Sequence, residues 1–152
     1  MLVGIALHLL AAIIWVGGMF FAHMALRPAA VQVLEPPLRL QLWVQVFKRF
    51  FFWVWLSIIA LLASGYWMVL GFYGGFGNVG THIHLMHGVG IVMVLIYLYI
   101  FFSCYRRLKQ AIIVEDYPEG GRILAQIRKL VGINILLGLA VAIFASSGRF
   151  LA

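Results

Sequence analysis

Four stretches of this chain are long and apolar enough to cross a bilayer as helices: roughly Leu2–Met24, Phe50–Leu70, Ile83–Ser103 and Leu130–Ser147. About 20 apolar residues at the helical rise span a hydrocarbon core. Lipid offers no partner to an open backbone, so the spans must be helices. With 65% hydrophobic and only 10% charged residues, an ordinary soluble domain is excluded. The sequence therefore predicts an all-α polytopic membrane protein, a four-helix up-down bundle forming a single domain over residues 1–152. No polar stretch is long enough to fold separately. The first span lacks the basic start of a secretory signal and is too long for one, so it reads as a retained helix.

The charges orient the bundle. Arg27, Arg39, Lys48 and Arg49 fall in the first loop, and Arg106, Arg107, Lys109, Arg122, Arg128 and Lys129 in the third. The second loop, "GFYGGFGNVGTH", has no Lys or Arg, and the tail has only Arg149. The positive-inside rule puts loops one and three in the cytoplasm and both termini on the outer side of a bacterial-type inner membrane. The same rule accounts for the net charge of +7 without nucleic acid. In the first loop, Pro36 and Pro37 suit a helix start. Leu40, Trp43, Val44, Phe47 and Phe51 then share one helical face, which predicts an interfacial helical extension running into the second span. A period-two alternation from Leu38 to Lys48 competes with that reading, but a strand would leave open edges at the membrane. "EDYPEGG" interrupts the third loop between two basic helical extensions.

The chemistry-bearing residues are histidines. "GTHIHLMHG" gathers His82, His84 and His87 at the opening of the third span, and His8 lies in the first. A histidine inside a span is costly and usually faces the bundle interior. His8 precedes Arg27 by 19 residues and His87 precedes Arg106 by 19, so the two are level if both arginines mark one interface. His84 is about 4.5 Å further out at 1.5 Å per residue. Spacing by three puts His84 and His87 on one face, with His82 pointing elsewhere. Imidazoles from two helices suit the axial positions of a haem iron. Gly4, Ala11, Ala12, Gly88 and Gly90 would make room, and Trp15, two turns below His8, could pack on the macrocycle edge. Without a CxxCH motif the haem would be of b type, held non-covalently. Arg149 could pair with a haem propionate.

The same residues admit copper. His82, His84 and His87 with Met86 offer nitrogen and thioether donors, and Met19, Met24, Met68 and Met93 could extend a soft path, although methionine is most often core filling. His23 reads as an interfacial residue reaching water. The single cysteine, Cys104, allows no internal disulfide and reads as structural. All four acids lie in the basic loops, which leaves no hydrolytic site in a span.

"HLLAAIIWVGGMFFAHMALRPA" resembles the first helix of small membrane proteins grouped with copper-resistance protein D, the CopD family. "FKRFFFWVW" leading to "ASGYWM" resembles its second helix, and "HLMHGVGIVMVLIYLYIFFSCYRRLKQA" and "IRKLVGINILLGLAVA" its third and fourth. WVGG with LRP, and the YRRL exit, carry the resemblance best. It implies a copper-linked role. A weaker similarity runs to the HemJ-type protoporphyrinogen oxidases, four-helix proteins with a histidine in helix one and another opening helix three. That similarity implies a b-type haem, oxidation of a haem precursor, and His8 and His84 as the matching positions. This chain carries Arg27-Pro28 where that family has a proline-arginine pair nearer the tryptophan.

Two functions follow as expectations. The first is a bis-histidine haem b protein, with His8 and either His84 or His87 as ligands, acting in electron transfer or as a membrane oxidoreductase, with a quinone or another redox protein as partner. The alternative is a copper-binding or copper-transporting membrane protein. Gly71 and Gly75, spaced by four, suggest a close-packed homodimer contact.

Overall fold

The computed structural model describes residues 1–148, and among these no strand occurs. Four long helices make up the chain: α1 (Leu2–Val33), α2 (Pro36–Gly71), α3 (Thr81–Ile113) and α4 (Tyr117–Ser147). Each contains a window apolar enough to cross a membrane. The protein is a multi-pass helical bundle, as the hydropathy requires. Residues 34–35 join α1 to α2, residues 114–116 join α3 to α4, and the longer segment 72–80 joins α2 to α3. One end of the bundle is rich in arginine and lysine. The other carries His8, His82, His84 and His87.

Every helix outruns its apolar window. The 36 residues of α2 measure about 54 Å at 1.5 Å per residue, against about 30 Å of hydrocarbon. Hydropathy stops at Arg27, Lys48, Arg106 and Lys129, but the backbone continues through them. The first-loop extension is helical from Pro36 and continuous with the second span. Its apolar face, Leu40, Trp43, Phe47 and Phe51, is buried against Tyr105, Leu108 and Ala111 of α3 and Ile123 and Ile127 of α4. The extended ends of three helices thus build a core of their own at the basic end.

Arg27-Pro28 does not end α1. Pro28 has no N–H to give the carbonyl four residues back. The chain absorbs this by winding Ala22–Leu26 as a π turn, in which the Arg27 N–H donates to Ala22 O. A second π turn, Ile100–Cys104, interrupts α3, with the Tyr105 N–H donating to Ile100 O. Buried polar ties link the helices nearby. Tyr97 OH donates to Phe51 O at 3.2 Å, and Asn134 Nδ2 donates to Met93 O at 3.1 Å. Trp15 meets the Tyr97 ring edge-on, with centroids 6.3 Å apart. At the α3–α4 turn, Asp116 caps α4 by accepting from the Glu119 N–H at 3.2 Å.

Packing is uneven along the bundle. No residue of α3 before Met93 is buried, and none of α4 between Gly138 and Ser147. At the histidine end the buried positions of α1 and α2 are Gly4, Ala11, Ser64 and Val69. The basic half is a dense core, and the histidine half is open.

Gly71 and Gly75 do not form a helical stripe. Gly71 is the last residue of α2, and Gly75 lies in the connecting segment at φ +120°. Their spacing of four has no meaning off a helix, so the dimer contact read from it does not stand. Gly75 is there because that backbone conformation is essentially confined to glycine.

Candidate metal site

His8 is positioned by α2. Ser64, in the small-residue run "ASG", lies opposite it, with Ser64 Oγ 2.9 Å from His8 Nδ1. The same hydroxyl stands 2.6 Å from Ala60 O. A hydroxyl has one hydrogen to donate, and a carbonyl can only accept, so that hydrogen goes to Ala60. Ser64 Oγ therefore accepts from His8, which fixes the proton on Nδ1 and leaves a lone pair on Nε2. A ring whose other nitrogen is held in this way is the usual form of a histidine prepared as a ligand. The ring lies against α2 at Gly65, where a Cβ would stand in ordinary contact, 3.4 Å from His8 Cε1.

His84 and His87 open α3 on its exposed surface. Both rings approach Phe76 of the connecting segment, at centroid distances of 6.0 and 5.0 Å. His87 Nε2 is 2.8 Å from Tyr66 OH. The spacing by three thus yields a histidine pair converging on one aromatic ring. His82, two residues from His84, turns instead toward the end of α4. A Cβ on Gly148 would come within 2.9 Å of it. Met86 is half-buried on the same opening turns.

The structure does not join the two histidine sets. No hydrogen bond or ring contact links His8 to His84 or His87 among the described residues. His8 reaches α2 at Ser64 and His87 reaches it at Tyr66. Two residues along a helix are about 3 Å of rise and about 200° of rotation. The rings are therefore close in depth but on different sides of α2. Among the described residues, no three His, Cys, Asp or Glu side chains are grouped so as to hold a metal ion.

The other sequence candidates fall elsewhere. Trp15 is buried near the middle of the bundle against Tyr97, below the histidines. His23 sits in the first π turn and faces α4, where a Cβ on Gly132 would lie 3.4 Å from its ring. Met19 and Met93 are core residues, whereas Met24 is 58% exposed, so the methionines form no continuous path. Arg149 lies outside the described residues. Ser64, Tyr66 and Phe76 were not singled out by sequence reasoning. The signal for Ser64 was available in "ASGY", a small polar interruption of an apolar span.

The family described as copper resistance protein D matches residues 44–147. The chain belongs to the CopD family. The matched stretch runs from within α2 to the end of α4 and holds Ser64, Tyr66, His82, His84, Met86 and His87, while His8 and Trp15 precede it. No curated protein and no solved structure matches the chain.

Proposed function

We propose that this CopD-family protein binds copper ions at its histidine end, with His84 and His87 as the nitrogen ligands; Met86, about 200° round the helix from His84, lies off that face. The observation carrying this reading is the exposed His84–His87 pair, converging on Phe76 within the stretch matched to a copper-resistance family. Imidazole ligands suit copper. By the positive-inside rule this end faces away from the cytoplasm, so copper is the cargo received there. In detergent-purified protein, elemental analysis after copper dialysis should find bound copper that His84→Ala/His87→Ala loses and His82→Ala keeps. Copper retained by the double variant would overturn the assignment.

A second reading, non-covalent haem b, has one observation in its favour: His8 is held with a free Nε2 lone pair at the depth of His87. Haem with two axial histidines supplies one-electron transfer, and a quinone would be the natural partner in the bilayer. His8 would be one ligand and His84 or His87 the other. The placement of the rings on different sides of α2 disfavours it. A Soret band and a sharp reduced α-band, both lost in His8→Ala, would establish haem against copper.

A further inference from the structure

A separate feature lies at the opposite end. A cavity of about 190 Å³ opens among α1, α2 and α4, with Tyr97 and Ile100 of α3 among its lining residues. For scale, an engineered cavity of about 150 Å³ takes up benzene. Its inner wall is aromatic, including Trp15, Trp43, Phe51 and Tyr97. Three arginines, Arg27, Arg39 and Arg128, also line it.

Among the described residues these cations have no ion-pair partner. The one ion pair among the described residues is Arg122–Glu119, on the outside of α4. Arg27 and Arg128 line the one cavity, so two like charges face the same space. Arg39 donates from Nη2 to Leu34 O at 3.3 Å, which fixes the guanidinium, yet its buried Nε has no partner among the described residues. Deeper in, Asn134 is 1% exposed, and its Oδ1 is also without a partner. Its amide nitrogen donates to Met93 O, and the oxygen, which can only accept, faces no donor among the described residues. Buried polar atoms of this kind are uncommon and costly. From Arg128 to Asn134 is six residues, or about 9 Å along α4.

We propose that this cavity binds an amphiphilic anion, with a phosphate or carboxylate held by Arg27, Arg39 and Arg128 and an apolar body carrying a hydroxyl or N–H to Asn134 Oδ1. Guanidinium groups match both anions through paired N–H bonds. The aromatic wall takes the apolar body, and the separation of the two polar ends sets its length. The source is either a membrane lipid headgroup or a free amphiphile of the same chemistry. Both π turns border the site through Ala22, His23 and Ile100, and π turns frequently mark functional positions.

The test uses the full chain in a non-ionic detergent, titrated with ω-hydroxydecanoate and followed by calorimetry. Saturable binding at least tenfold tighter than that of its uncharged methyl ester is expected. Arg27→Gln/Arg128→Gln should lose that tenfold. Asn134→Leu should lose the preference for ω-hydroxydecanoate over plain decanoate while keeping carboxylate binding. Ala125→Phe fills the cavity with every charge in place and should abolish binding, with size-exclusion profiles confirming that each variant folds. Native mass spectrometry separates the sources. A retained phospholipid lost in the arginine variant identifies a lipid headgroup, and binding of ω-hydroxydecanoate without such an adduct identifies a free amphiphile. Equal binding of acid and ester, binding unchanged in the arginine variant or in Ala125→Phe, or neither probe nor lipid bound would each overturn the proposal.

Discussion

Ser64→Ala isolates the contact that orients His8. Ser64 Oγ touches three groups: His8 Nδ1, and the carbonyls of Ala60 and Leu61 in its own helix. Those carbonyls keep their backbone hydrogen bonds when the hydroxyl goes, so the loss falls on His8. An interhelical hydrogen bond in a membrane averages about 0.6 kcal/mol and reaches about 1.7. His8 is only half-buried and can turn toward other partners. We therefore expect about 1 kcal/mol of destabilisation, small against the effect on the ring. Nitrogen-15 NMR of histidine-labelled protein, above the pH range where imidazole is charged, should show His8 as the Nδ1–H form. In Ser64→Ala that single form should give way to a mixture of tautomers. A wild-type His8 protonated on Nε2 would refute the argument, because it would require Ser64 to donate to His8 rather than to Ala60. If His8 does ligate a metal, losing such a partner should weaken affinity by about 10–100-fold.

Gly138→Ala places a Cβ 2.7 Å from a methyl of Val16. Valine is stiff at χ1, so overpacking of about 1–3 kcal/mol should exceed the roughly 1 kcal/mol that alanine gains as a helix former. The midpoint of thermal unfolding in detergent should fall. Gly75→Ala, at φ +120°, should cost about 1–3 kcal/mol in backbone strain and accelerate proteolysis of the segment between α2 and α3. Asp116→Ala removes the α4 cap and should cost about 1 kcal/mol, read as faster amide exchange in the first turn of α4.

The spans were legible because lipid leaves the backbone one solution. The face of Leu40, Trp43, Phe47 and Phe51 was legible from its spacing alone. The helix lengths were not, because hydropathy measures the membrane and the helices also pack on one another outside it. Arg27-Pro28 has the look of a terminator. Only the π turn, set by tertiary packing, lets α1 continue. His84 and His87 were correctly read as one face, but spacing along α3 cannot say how that helix is rotated. Hence neither the convergence on Phe76 nor the separation from His8 could be seen. Asn134 was legible and overlooked, a lone amide in an apolar span of the kind that signalled the histidines.

The three connections divide mechanical freedom unequally. Two residues clamp α1 to α2 and three clamp α3 to α4 at the densely packed end, whereas nine link α2 to α3 at the other. The molecule is built like a clothes peg. Its spring is the aromatic block around Phe47 and Leu108, and its jaws are the helix tips that bear the imidazoles. The tips of α3 and α4 carry no buried side chain there while the block carries many, so substitutions among the imidazoles of α3 should leave the shape of the bundle intact.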